Sequence, residues 1–218
     1  MKIVILGAKN PETGRMIEAI RAAGGDDDFI GFIDNNHANL PPSFLGLPIF
    51  GGFERLDALI ADDCAFVNTI TGSTRARYET SREIVGHGGR LVNFIHPNVD
   101  PRFERGVGNY IQECAIQADV EMGDNCSIHV GCIIAHEARI GHSTFVTFGV
   151  NVAGEVAIGD GVFIGAGATI IPRIKIGNWA TIGAGAVVIA DIPDYAVAVG
   201  NPARIIRYND KTYTDGRI

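Results

Sequence analysis

The residues best suited to chemistry in this sequence are His136 and Glu137, side by side in IIAHEARIGH (133–142). An imidazole that titrates near neutrality can take a proton from an attacking amine or hydroxyl. A neighbouring carboxylate can fix its tautomer and stabilise the imidazolium that forms. Adjacent side chains diverge in an extended chain, so this pair can cooperate only where the backbone turns a corner. His129 and His142 stand seven positions before and six after His136. Each reads as a solvated side chain, and a metal held by the three is the less favoured reading. The four cysteines, Cys64, Cys114, Cys126 and Cys132, form no CxxC pair and suit no common zinc site. No serine or cysteine sits in a convincing nucleophile arrangement, so group transfer here should be direct, and no metal is expected.

The elements that carry these residues follow from a repeat. From Met122 an aliphatic residue recurs at every sixth position: Met122, Ile128, Ile134, Ile140, Val146, Val152, Ile158, Ile164, Ile170, Ile176, Ile182, Val188. Four places after each beat comes a small or branched residue, such as Cys126, Cys132, Ala138 and Thr144. A period of six fits neither a helix nor a plain alternating strand. It fits short strands joined by tight corners, with three hexads making an 18-residue coil and both marked positions pointing inward. Residues 104 to 190 supply four to five such coils. His136 and His142 then lie on the outer wall, while Cys114, Cys126 and Cys132 occupy inward slots.

The first half has another rhythm. Apolar strands at 2–6, 29–34, 65–70 and 91–95 alternate with helical patterns at 13–23, 54–60 and 75–85. That order predicts a small Rossmann-like parallel α/β domain over residues 1–97, followed by a β domain with a tail over 98–218. Ligands of open parallel sheets collect beyond the carboxyl ends of the strands. Gly7, Thr13, Gly14, Asp34, Asn35 and Gly51 fall there, and the loop GAKNPETGR could offer backbone donors to a phosphate. The fingerprint of a full dinucleotide fold is incomplete.

The net charge of -7 argues against nucleic-acid partners. No apolar run is long enough for a membrane span, and the short apolar start, MKIVILG, is no export signal. A cytoplasmic protein with free thiols is the expectation.

These features resemble a family. The hexads are similar to the left-handed parallel β-helix of hexapeptide-repeat acyltransferases. A short α/β domain ending in His96-Pro97 ahead of such a helix resembles the sugar acetyltransferases of sialic acid, bacillosamine and perosamine pathways. FIDNN (32–36), GLPIFGG (46–52), HEARIG (136–141) and GNPAR (200–204) carry the resemblance across nearly the whole chain. It implies a trimer, with acetyl-CoA in the groove between neighbouring prisms and a nucleotide sugar on the α/β domain. It implies His136 as general base and Glu137 as its orienting acid. On the coenzyme side it implies Phe145, Gly154, Ala166, Ala184, Gly185, Pro202 and Arg204. Two positions depart from the pattern: Phe145 stands where bacillosamine-type members carry a second histidine, and His129 where they show asparagine. N-acetylation of a nucleotide-linked aminosugar is the leading expectation. O-acetylation of a free sugar such as a sialic acid, or a non-catalytic scaffold, are the alternatives.

Overall fold

The computed structural model describes residues 1–213 and 216–218. The chain opens with β1 (Lys2–Leu6), α1 (Glu12–Ala22) and β2 (Asp28–Ile33). A short hairpin of β3 (Ser43–Phe44) and β4 (Leu47–Pro48) follows, then α2 (Leu56–Ala61), β5 (Ala65–Asn68), α3 (Thr74–Gly86) and β6 (Arg90–Leu91). The four longer-range strands form a parallel sheet in the order β2-β1-β5-β6. Strands buried on both faces explain the continuous apolar runs. One face packs Ile3, Ile5, Met16, Ile17, Phe29 and Phe32 together, the other Val4, Leu6, Leu56, Phe66 and Ile84.

The remainder is a left-handed parallel β-helix of triangular section. Its strands are two residues long and stack in register every 18 positions, as Ile134 does on Val152 and Val152 on Ile170. Every beat residue from Met122 to Val188 is buried in one continuous column. Cys126 and Cys132 are buried, and Cys114 is half-buried against the same column. Three faces result, named here by what they carry. The covered face, with strands such as Ser127–Ile128, Phe145–Val146 and Phe163–Ile164, lies against the α/β domain. The bare face holds Ile133–Ile134, Asn151–Val152 and Thr169–Ile170, and the charged face Glu121–Met122, Arg139–Ile140 and Lys175–Ile176.

The corners hold the pitch. Each needs one residue in the left-handed region, and these recur 18 apart. Asp119, Glu137, Glu155 and Arg173 serve the bare–charged corner, while Gly131, Gly149, Gly167 and Gly185 serve the covered–bare corner. At the third corner a ladder of side-chain acceptors links one coil to the next. Asp124 Oδ1 accepts from Val107 N–H at 2.8 Å, and His142 Nδ1 from Asp124 N–H at 3.0 Å. Asp160 Oδ1 then accepts from His142 N–H at 2.7 Å, Asn178 Oδ1 from Asp160 N–H and Asp194 Oδ1 from Asn178 N–H, both at 2.8 Å. His142 is thus a rung of a structural ladder, half-buried beside Asp124 and not merely solvated.

Two sequence expectations need correction. The run read as one strand from 91 to 95 is split: Leu91 pairs in the α/β sheet, whereas Phe94–Ile95 pair with Tyr110–Ile111 in the β-helix. His129 is 4% exposed, enclosed by the rings of Tyr110, Phe145 and Phe148. It is not a solvated side chain, because these three rings close over it. The expected tail folds back on the coils: Ala196–Val199 pairs antiparallel with Arg204–Tyr208, and Gly216 reaches back to Ser143 and Asp160.

Arg77 joins the two halves. Wholly buried on α3, it donates to the carbonyls of Asn68 in β5 and of Gly108, Asn125 and Cys126 in the β-helix. Desolvation pushes its pKa down to about 10, which still leaves it charged at neutral pH. Removing the guanidinium strands several buried carbonyls at once, and lysine cannot reproduce the fork. Arg77→Met should therefore lose on the order of 3 kcal/mol or more in urea unfolding, with Arg77→Lys no better than a partial rescue. Burial likewise lowers the pKa of His129 from 6.5 to about 4, and neither ring nitrogen has a hydrogen-bond partner among the described residues. The folded chain keeps this ring neutral where the unfolded chain protonates it. Stability should then fall as pH drops from 6.5 through 4, by at most about 3 kcal/mol from this group. Unfolding curves across that window should be flatter for His129→Asn.

Candidate active site

The corner after Ile133–Ile134 decides the geometry of the opening pair. Glu137 takes φ +58°, and this left-handed turn brings its carboxylate back to its neighbour. His136 Nδ1 lies 3.0 Å from Glu137 Oε2. Backbone bonds fix the bend: His136 N–H donates to Gln117 Oε1 at 3.1 Å, Glu137 N–H to Ala118 O at 3.1 Å, and Glu155 N–H to His136 O at 3.0 Å. Both side chains are more than half exposed. With Nδ1 donating to the carboxylate, Nε2 carries the lone pair and is the atom free to accept a proton.

Gly154, one coil on, explains how the ring can lie there. A Cβ at this position would stand 2.7 Å from both Cε1 and Nε2 of His136. Only glycine leaves the imidazole its place. Among the described residues no group of three or more His, Cys, Asp or Glu side chains could hold a metal. Burial also disfavours the thiolate form of the cysteines. Burial pushes Cys114 and Cys126 up to about 12 and raises Cys132 as well.

The residues expected on the coenzyme side separate into groups. Gly154 is beside His136 at the bare–charged corner. Ala166, Ala184 and Gly185 are exposed at the covered–bare corner, the opposite edge of the bare face. Gly185 has open space around it, as have Gly149 and Gly167 in the same column. Exposed Pro202 and Arg204 belong near this second group, because Val187 bonds to Gly200 O and Ala203 N–H to Val187 O. Phe145 is 1% exposed, stacked on Phe163 at 5.6 Å and packed against His129.

The α/β domain brings its own set together at the carboxyl ends of β1, β2 and β5. Gly7 has φ +99°, and Asp34 Oδ2 accepts from Ala8 N–H at 3.1 Å, tying the end of β2 to the first loop. Asp34 N–H in turn donates to Gly51 O, and Asn35 Oδ1 accepts from Phe53 N–H. Beside them a cavity of about 440 Å³ is lined by Gly7, Lys9, Asn10, Pro11 and the segment 69–72. Thr13 and Gly14 turn inward instead: Thr13 is wholly buried, and Gly14 lies against Leu45. Lys9 and Asn10 belong to the loop GAKNPETGR, of which only the backbone donors were the expectation, and Thr69 carried no signal in the sequence.

Comparison with known proteins agrees with this architecture. The family described as bacterial transferase hexapeptide (six repeats) matches residues 155–190. A search of curated proteins finds no match. Among solved structures, the chain is similar to PerB from Caulobacter crescentus in complex with CoA and GDP-perosamine. Identity is 33%, the TM-score 0.83, and the alignment covers 95% of this chain and 98% of that one. A variant of perosamine N-acetyltransferase from the same organism matches at 32% identity and TM-score 0.83, covering 95% and 97%. The acetyltransferase domain of PglB from Neisseria gonorrhoeae, in complex with acetyl coenzyme A, matches at 26% identity and TM-score 0.83, covering 94% and 98%. With a relative at this identity aligned over nearly its whole length, the chain belongs to the hexapeptide-repeat sugar acetyltransferase family.

Proposed function

We propose that this acyltransferase moves the acetyl group of acetyl-CoA onto the amino group of a nucleotide-linked aminosugar. The observation that carries the reading is the exposed His136–Glu137 pair, whose Nε2 lies over Gly154. In the reaction the amine nitrogen attacks the thioester carbonyl and a C–N bond forms. His136 Nε2 takes the amine proton while Glu137 stabilises the imidazolium. The C–S bond then breaks, and the departing CoA thiolate leaves with a proton returned from His136. The backbone N–H of Gly154 is the candidate donor to the developing oxyanion, since those of Ala153 and Glu155 are taken by Ile170 O and His136 O. Complexes of the relatives with CoA, acetyl-CoA and GDP-perosamine support both substrates. The cavity ringed by Gly7, Lys9 and Asn10 supports a nucleotide phosphate on the α/β domain, close to Asp34, Asn35 and Gly51.

One copy cannot assemble this site alone. His136 stands at one edge of the bare face, whereas the small-residue strip of Ala166, Ala184 and Gly185 stands at the other, on the side of the α/β domain. The bare face and its edges also expose Val130, Ile133, Phe148, Ile171 and Ile189, each 37% or more. Apolar surface of this kind favours a partner. Three copies around an axis facing their bare faces would set the His136 edge of one against the strip of the next and close the ring. The free thiols fit a reducing cytoplasm, where acetyl-CoA is available.

Purified protein given acetyl-CoA and a panel of nucleotide aminosugars should yield an acetylated product, seen by mass. His136→Ala should lower kcat by about 10²–10⁴-fold, the range a general base contributes, at unchanged unfolding temperature. Glu137→Gln should lower kcat by less than His136→Ala does, because the base keeps its place but loses its partner. Acetylation of free sialic acid in place of every nucleotide sugar, or full activity of His136→Ala, contradicts the reading.

A further inference from the structure

The loop that borders the acceptor cavity is held from a distance. Residues 69–72 line that cavity opposite Gly7, Lys9 and Asn10. Thr69 Oγ1 donates to Leu6 O at 2.9 Å and ties the start of the loop to β1. The next amide, that of Ile70, donates to Asn68 Oδ1 at 2.9 Å. Asn68 is the buried last residue of β5.

From Asn68 a chain of side-chain hydrogen bonds crosses into the β-helix. Asn68 Nδ2 donates to Ser81 Oγ at 2.9 Å, and Ser81 Oγ to Asn125 Oδ1 at 2.7 Å. Asn125 Nδ2 donates to Ser143 Oγ at 2.9 Å, and Ser143 Oγ to Gly216 O at 2.6 Å. Each hydroxyl accepts on one side and donates on the other, so the dipoles run one way and each bond strengthens the next. All four side chains are buried. Thr80 Oγ1 and Arg77 O also lie within reach of Asn68 Nδ2, at 3.0 and 3.2 Å, which anchors this end on α3. The far end is fixed by the pitch of the coils. Asn125 and Ser143 take the left-handed position of successive coils at the third corner, next to Asp124 and His142 of the acceptor ladder. Arg77 runs alongside, holding the backbone carbonyls of both Asn68 and Asn125. Apolar side chains could fill such a boundary without a fixed direction, whereas a fully satisfied polar chain specifies one arrangement.

We propose that Asn68 is a positioning residue for the acceptor, and that the relay Asn68–Ser81–Asn125–Ser143 sets loop 69–72 against the coils. A nucleoside diphosphate bound beside the loop is then presented at one place relative to the β-helix. This rests on the reading that the cavity takes the nucleotide of the acceptor. The small-residue strip for the coenzyme lies at another corner, outside the relay.

Asn125→Gly removes the middle of the relay, lies outside the cavity lining, and suits the left-handed corner. In the full-length variant, amides of residues 69–72 should exchange hydrogen roughly tenfold faster than in the parent, with those of β1 unchanged. Whichever of GDP and UDP the parent binds in calorimetric titration should bind about tenfold more weakly. The KM for the nucleotide sugar that the parent acetylates should rise with it, and the KM for acetyl-CoA should stay. If Asn125→Gly does not fold, Ser143→Ala breaks the next link and is read in the same way. A loop that exchanges as slowly as in the parent, or acetyl-CoA binding weakened in step with nucleotide binding, overturns the proposal. A parent that binds neither nucleotide contradicts the reading of the cavity instead, and the exchange rates alone then decide the relay.

Discussion

The 18-residue pitch is the constraint on which the rest of this molecule depends. Parallel two-residue strands bury one column only if every coil lies over the one before it. The register is kept from outside by one left-handed residue per corner and by the acceptor ladder running from Asp124 through His142 and Asp160 to Asp194. The candidate chemistry uses the same device. Glu137 turns left-handed because the corner demands it, and that turn carries its carboxylate to its exposed neighbour, His136. Gly154 lies beneath the ring because it is the equivalent corner position one coil later. The proposed base is therefore a by-product of a structural rule, filled with residues that have a use.

Much of this could be read before any coordinates. The aliphatic beat from Met122 to Val188 located the column, and from it the outward corner position of His136. Alternating strands and helices located the parallel sheet. Both signals are periodic, and periodicity reports which side chains face a core. It says nothing about what docks on the outside. His129 points away from the column and looks solvated on that count, yet the rings of Tyr110, Phe145 and Phe148 enclose it. Arg77, which looks like any surface arginine of an amphipathic helix, becomes a buried cross-link once α3 meets the coils. Such a residue belongs to an interface that the two rhythms cannot predict separately.

The binding residues show the same division. Asp34 closes on the first loop, and Gly51 accepts from Asp34 behind it. Thr13 and Gly14, by contrast, are spent on packing, because α1 turns them toward the sheet and the hairpin. Lys9 and Asn10 take the cavity wall instead. On the β-helix, residues that seemed one track divide between two edges of a face. Sequence spacing gave the coil of each residue, but the corner it occupies only emerges when the triangle is drawn.

That division carries the central claim: the base of one copy works with the small-residue strip of the next. The direct test mixes two inactive proteins, His136→Ala and Ala184→Trp, dissociated and reassembled together. Random assembly of equal amounts joins an intact base to an intact strip at about a quarter of the interfaces in a closed ring. Recovery of about a quarter of the parent rate is the predicted result. A mixture as inactive as its two components would contradict the account, because base and strip would then have to meet within a single chain.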